Sequence, residues 1–221
     1  MRKNLPRKSF NMFKDRKEAG EKLADKLKKY KGNDAIVYAL PRGGVAVAVE
    51  VAKVLDCPLD ILVSRKIGHP FSPEYAIGAI APDGHSIFNE KEKKEIEPKE
   101  LEKIVNKEIA EAQRRDTAYL GGRKHIGAKD KIAIIVDDGI ATGLTMKLAV
   151  KEIKHQNPKK IVIVVPVLPK DAAVLLRKEV DEVVSILEDE NYLGAVGSYY
   201  EYFPQIEDNE VIKIMEEYKQ I

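Results

Sequence analysis

The stretch that decides the fold is residues 132–145, which read IAIIVDDGIATGLT. Its first five residues are apolar without alternation, a pattern typical of a short strand buried on both faces of a parallel sheet. Two acids follow, and the glycines and threonines after them lead into a predicted helix. Ligands of open parallel sheets bind at the carboxyl ends of the strands. The exit from this strand is therefore a candidate site.

Strands of the same kind alternate with helices along the rest of the chain. The five predicted strands span 35–40, 60–64, 131–136, 160–165 and 183–187, and the main predicted helices span 15–30, 45–55, 142–155, 171–178 and 208–218. This alternation predicts a three-layer α/β fold, in which a mainly parallel, twisted sheet of about five strands is flanked by helices.

A long excursion separates the second predicted strand from the third. Residues 66–89 mix glycines and prolines with short apolar pieces and predict an irregular segment with a hairpin, and 91–116 predict a surface helix broken near Pro98. Loops of this length in compact domains are usually lids or disordered segments. We therefore interpret the chain as one domain over 1–221, with a lid or flexible loop over 65–120 and a C-terminal hood and helix over 189–221.

Composition excludes several classes of protein. The net charge of the 221 residues is only +2, which does not call for a nucleic-acid partner. The first eight residues have no apolar stretch after their charges, so we expect no signal peptide, and the longest apolar run, 161–168, is too short to span a bilayer. The single cysteine, Cys57, excludes an internal disulfide framework and fits a reducing compartment. We expect no membrane partner and a cytoplasmic location.

The acidic loop after the third strand has the composition of a sugar-phosphate site. Adjacent carboxylates at Asp137 and Asp138 repel each other and need hydroxyl donors or a cation, which a ribose diol or a metal ion supplies. The following residues suit a phosphate, because small side chains let backbone N–H groups point inward at the start of a helix. The candidates for the phosphate loop are Gly139, Ala141, Thr142, Gly143, Leu144 and Thr145. The alternative is an ordinary capped turn between a strand and a helix.

A second candidate loop follows the first strand and consists of Pro41, Arg42, Gly43 and Gly44. Its glycines permit the close approach of phosphate oxygens and its arginine supplies a cation, although the same residues also suit a tight turn. Arg65 and Lys66 leave the second strand at the same edge of the sheet. They are candidates to contact a pyrophosphate or to close over the site, and the alternative is that they are solvated.

Residues 132–145 closely resemble the motif of type I phosphoribosyltransferases that binds 5-phosphoribosyl-1-pyrophosphate (PRPP). The order of the motifs along the chain also resembles a group of uncharacterised prokaryotic proteins with this domain. The resemblance implies that Asp137 and Asp138 bind the ribose hydroxyls and that residues 141–145 hold the 5-phosphate. It places the pyrophosphate at 41–44, commonly beside a non-proline cis peptide, here the Pro41–Arg42 bond. It also implies Mg²⁺, held by Asp137 or Asp138 directly or through water, and commonly a homodimer.

The implied reaction moves the phosphoribosyl group from Mg-PRPP to a nitrogenous base and releases pyrophosphate, as in nucleotide salvage. Enzymes of this family that act on 6-oxopurines usually carry an aspartate where this chain has Ala141, which argues against that substrate class. Candidates for the base pocket are Ile140, Tyr192 and Tyr199, although we favour packing in the C-terminal part for the tyrosines. The alternative function is a non-catalytic protein of this fold that senses PRPP or a nucleotide.

Overall fold

The computed structural model describes residues 12–218. Its main sheet has five parallel strands in the order β2-β1-β6-β7-β8, and three further strands form a smaller antiparallel sheet. The strands are β1 (Ala35–Ala39), β2 (Leu59–Ile61), β3 (Arg65–His69), β4 (Ser72–Ile80), β5 (Ser86–Phe88), β6 (Ile132–Val136), β7 (Lys160–Pro169) and β8 (Glu182–Asp189). The predicted three-layer α/β fold with a five-stranded parallel sheet is confirmed.

Helices cover both faces of the main sheet. They are α1 (Arg16–Leu27), α2 (Gly43–Leu55), α3 (Glu90–Lys94), α4 (Pro98–Leu120), α5 (Leu144–Lys154), α6 (Lys170–Leu176) and α7 (Asp208–Tyr218). Along β6, Ile134 and Val136 pack in the core beneath α1, α2 and α7, whereas Ala133 and Ile135 pack beneath α5 and α6. This alternation explains why the strand is apolar on both faces: each face has its own layer of helices.

The hairpin predicted within 66–89 is confirmed by the antiparallel pairing of β3 with β4, but the prediction that the segment is otherwise irregular is wrong. Strands β3, β4 and β5 pair in an antiparallel sheet whose buried residues Ile67, Ile77 and Ile80 pack against Ile96 and the apolar side of α4. The predicted break near Pro98 is confirmed, because Glu97 caps α4 and Pro98 is its first residue. The region 65–120 is thus a folded unit with its own core, and its role as a lid stays a prediction.

Several element boundaries differ from those predicted. Strand β7 continues to Pro169 because its ladder with β8 extends to the pair Pro169 and Asp189. Helix α5 begins at Leu144 because Gly143, at φ +76°, caps it in the left-handed region that favours glycine. The N-terminal residues for which no signal peptide is expected lie outside the described residues. Among the residues that are described, no helix is long and apolar enough to cross a membrane.

Candidate functional site

The loops after β1 and β6 meet at the carboxyl edge of the main sheet. The two strands are neighbours, and the Leu40 N–H donates to the Val136 carbonyl at 2.9 Å. A Cβ on Gly44 would lie 2.9 Å from the Asp137 Cα, and one on Gly43 would lie 1.8 Å from Asp138 Oδ2. Both glycines are therefore required by the contact between the loops. The structure brings together residues 41–44 and 137–145 as one site.

The two acids have different surroundings. Asp137 Oδ1 accepts the backbone N–H of Asp138 at 2.8 Å, and the Tyr200 hydroxyl donates to the Asp138 carbonyl at 2.7 Å. Burial raises the pKa of Asp137 well above its ordinary value, and the negative charge of Asp138 raises it further. Burial also raises the pKa of Asp138, against the opposing effect of the Arg16 guanidinium. Asp138 is therefore the acid of the pair with a cationic partner.

Arg16, on the first turn of α1, is a site residue that the sequence did not single out. Its Nε donates to Asp138 Oδ2 at 2.8 Å and its Nη1 donates to the Pro204 carbonyl at 2.7 Å. The guanidinium carbon lies 3.7 Å from the centre of the Phe203 ring. Only 8% of Arg16 is exposed. An arginine in a charged first turn has no local signal of burial, because its partners lie far along the chain.

The phosphate loop borders a small cavity at the start of α5. Gly139 has φ +153°, and a Cβ there would lie 2.5 Å from Val196 Cγ1, so the loop is closely packed on its outer side. The cavity, of about 220 Å³, is lined by residues 139–145 and, from the small sheet, by Lys66, Ala76 and Gly78. Backbone N–H groups at a helix start attract anions. The cavity therefore suits a phosphate group.

The cations predicted at the site have protein partners in this structure. The Pro41–Arg42 peptide is cis, and Arg42 Nη1 donates to Glu207 Oε2 at 2.9 Å. The same guanidinium lies 3.7 Å from Asp208 Oδ1. Arg65 Nε donates to Glu108 Oε2 of α4 at 2.8 Å, which holds Arg65 against that helix. Of the predicted cations, Lys66 lines the phosphate-loop cavity.

A larger cavity, of about 800 Å³, lies on the other side of the phosphate loop. Its walls include Ala141, Thr142, Lys170 and Tyr192. Within residues 12–218, the buried Tyr192 hydroxyl has no hydrogen-bond partner. Tyr192 is the one predicted base-pocket residue that lines this cavity.

The other two predicted base-pocket residues lie in packed regions. Ile140 is buried in the core beneath α5 and also lines the smaller, phosphate-loop cavity. Tyr199 is buried in the C-terminal cluster, where its hydroxyl donates to Asp189 Oδ2 at 2.6 Å and accepts the Leu193 N–H at 2.8 Å. The Tyr199 ring stacks on that of Tyr192, with ring centres 5.5 Å apart. Tyr199 therefore supports the position of Tyr192 from behind.

The acid pair also bears on the metal expected at this site. Among the described residues no group of three or more His, Cys, Asp or Glu side chains is arranged to hold a metal ion. Mg²⁺ is commonly bound through one or two carboxylates, with waters and substrate phosphates as its remaining ligands. The donor set of Asp137 and Asp138 fits an ion that arrives with a phosphate ligand.

Comparisons with a family profile and with known proteins agree on a phosphoribosyl transferase domain. The family profile described as phosphoribosyl transferase domain matches residues 10–202. Two Mycobacterium tuberculosis proteins with provisional phosphoribosyl transferase names, MT0597 of strain CDC 1551 and Rv0571c of strain H37Rv, are each 40% identical over 209 residues. That match covers 94% of this chain and 47% of theirs, so the chain spans about half the length of these relatives. The crystal structure of TT1426 from Thermus thermophilus is 33% identical in sequence, with a TM-score of 0.76 over 93% of this chain and 98% of that one.

Proposed function

Because the chain belongs to the phosphoribosyl transferase domain family, we propose that it transfers the 5-phosphoribosyl group from Mg-PRPP to a nitrogenous base and releases pyrophosphate. The observation that carries this proposal is the meeting of two loops at the carboxyl ends of β1 and β6. One loop supplies adjacent carboxylates and a phosphate-sized cavity, and the other supplies Gly43 and Gly44 in direct contact with those carboxylates. The arrangement matches PRPP, the phosphoribosyl donor, whose ribose diol lies between the 5-phosphate and the pyrophosphate.

Each part of PRPP has a proposed place. The ribose hydroxyls donate to Asp137 and Asp138, and the 5-phosphate accepts from the N–H groups and threonine hydroxyls of residues 141–145. The pyrophosphate lies against the backbone of residues 41–44. Arg42 reaches it by exchanging its contact with Glu207 for one with a phosphate oxygen.

The protein's part in the reaction is to position and shield the reacting groups. The bond from ribose C1 to the pyrophosphate oxygen breaks, and its electron pair leaves with pyrophosphate. The lone pair of a base nitrogen forms the new bond to C1, and the proton of that nitrogen passes to solvent. Positive charge develops on the ribose as the first bond breaks. Holding the diol, the 5-phosphate and the pyrophosphate in place lowers the entropic cost of that step. Asp137 and Asp138 would hold Mg²⁺, which when bound would supply positive charge to stabilise the leaving pyrophosphate.

The acceptor is proposed to bind in the cavity of about 800 Å³ beside the phosphate loop. Its volume suits a small planar base. The Tyr192 ring supplies a flat apolar wall on which a planar base can stack. Ala141, at the edge of this cavity, supplies no carboxylate to move a proton of the base.

Isothermal titration of the protein with PRPP in the presence of Mg²⁺ tests the proposal directly. We expect saturable binding to the wild type and weaker binding to Asp138→Asn, which keeps the shape of the side chain and removes its charge. Incubation with radiolabelled PRPP and a panel of bases then tests turnover. Product formation supports the transferase, whereas binding without product with any base supports a protein that senses PRPP. Absence of PRPP binding contradicts both functions.

A further inference from the structure

We propose that Arg16 is a positioning residue for the PRPP site, which acts by holding the Asp138 carboxylate in place for the ribose hydroxyls. This inference rests on the proposed function, because it concerns the same site. Arg16 is the first residue of α1 and lies outside both loops, so it reaches the site from the N-terminal part of the described chain.

The first observation is how firmly Arg16 is held. Its guanidinium is bound on three sides: by Asp138 Oδ2, by the Pro204 carbonyl and by the face of the Phe203 ring. A buried guanidinium costs free energy unless it is fully paired, and a buried ion pair usually stabilises a fold no better than apolar side chains of the same size. The buried ion pair of Arg16 and Asp138 is therefore better explained by a role in holding the Asp138 carboxylate for a ligand than by a contribution to the stability of the fold.

The second observation is the confinement of Asp138. The Arg16 Nε lies 2.8 Å from Oδ2, and a Cβ on Gly43 would lie 1.8 Å from Oδ2 and 3.1 Å from that Nε, so the backbone of Gly43 closes off the space beside this ion pair. The Tyr200 hydroxyl fixes the backbone carbonyl of the same residue. Because Arg16 occupies Oδ2, a sugar hydroxyl approaches Asp138 at its other oxygen. Asp137 Oδ1 instead accepts the backbone N–H of Asp138 at 2.8 Å.

The third observation is that the residues in contact with Arg16 and Asp138 come from distant parts of the chain. Tyr200, Phe203 and Pro204 all belong to the segment between β8 and α7, and Arg16 belongs to α1. Two distant parts of the chain therefore converge on one carboxylate. Arg16 does not need to touch the ligand for this role: its contribution to PRPP affinity passes through Asp138.

A double-mutant cycle on Mg-PRPP affinity tests this inference. Arg16→Met keeps the length of the side chain and its contact with Phe203 but removes the charged hydrogen bond. We expect the dissociation constant measured by titration calorimetry to rise between about tenfold and about a hundredfold in Arg16→Met. Arg16→Lys, which keeps the charge without the planar fork, is expected to recover part of the loss. In an Asp138→Asn background, Arg16→Met is expected to change the constant by less than about twofold, since the partner is already altered.

The control is Arg177→Met, the same substitution at a partly exposed arginine whose Nη1 donates to Glu188 Oε2 at 3.0 Å. We expect no change in PRPP affinity there. Equal effects of Arg16→Met in both backgrounds, or none in either, overturn the inference and leave the proposed function standing. Absence of Mg-PRPP binding by the wild type overturns both. If Arg16→Met does not fold, as judged by thermal unfolding, the same cycle is run with Arg16→Lys, which must then show the weaker affinity.

Discussion

The contact between Gly43 and Asp138 makes Gly43→Ala the sharpest probe of the site. A Cβ at this position would lie 1.8 Å from Asp138 Oδ2 and 2.5 Å from its Cγ, whereas ordinary van der Waals contact begins at 3.4 Å. The carboxylate must therefore swing away, which breaks its 2.8 Å bond to Arg16, or α2 must move outward. Either response alters the place where the ribose hydroxyls are proposed to bind.

The size of the effect follows from these two responses. Loss of a charged hydrogen bond costs about 1.5–3 kcal/mol, and forced overpacking costs about 1–3 kcal/mol. We expect Gly43→Ala to lower the free energy of unfolding by about 1–3 kcal/mol, which corresponds to a fall in Tm of roughly 3–10 °C for a chain of this size.

The assay combines thermal and urea unfolding with titration of Mg-PRPP. The matched control is Gly127→Ala, because a Cβ on Gly127 would meet no heavy atom within 4 Å and the backbone there has no left-handed φ. Its free energy of unfolding is expected to stay within about 0.5 kcal/mol of the wild type, as for most surface substitutions. If Gly43→Ala matches Gly127→Ala in both stability and PRPP affinity, the close packing of the loops has no energetic consequence and the reasoning is refuted.

Three further outcomes concern titratable groups. Asp116 and Asp60 raise the pKa of His125 to about 10, so its stabilising charge is present below pH 6.5 and is lost as the pH rises through 10. The ring is partly exposed, so we expect urea unfolding to show an advantage of only about 1 kcal/mol over His125→Asn at pH 7, vanishing above pH 10. Burial raises the pKa of Glu152 to about 7, so ionisation destabilises the fold as the pH rises from 4.5 through 7. Glu152→Gln is therefore expected to be more stable than the wild type at pH 8, by about 1 kcal/mol, and equal to it at pH 4. Burial also raises the pKa of Cys57 to about 11, and we expect a thiol reagent to label the native protein at pH 8 far more slowly than the urea-unfolded chain.

The main sheet was predictable because its signal is local. Apolar runs such as 132–136 and 161–165 are long enough to fill a buried strand, and the acids and glycine that follow the first run mark where the chain turns. The hairpin of the small sheet was predicted, whereas the three-stranded sheet to which it belongs was not. Its strands carry Gly68 and Gly78 and an irregular register, and their burial depends on a helix that follows much later, so periodicity within the segment does not indicate a sheet.

The residues of the candidate site also differ in whether the local sequence indicates them. Asp137 and Asp138 were found because two acids at the end of an apolar strand are unusual in themselves. Arg16 was missed because its partner, Asp138, lies 122 residues away in sequence. The present partner of Arg42 was missed too, since Glu207 comes from the start of the last helix, 165 residues further along. Local composition identifies the groups that need partners, and the tertiary fold determines which partners they have.

The position of β1 and β6 as neighbours also bears on how the chain folds. Ala35 pairs with Ile132, and the small sheet and α4 lie between them in sequence. If this loop is still disordered when β1 and β6 pair, the pairing is slow. The entropy of the loop is lost before the contacts between the two strands can stabilise them. The region 65–120 has a core of its own and mostly local pairings. We therefore expect it to form first and to shorten the remaining loop, so that the strand pair that carries both functional loops is completed late in folding.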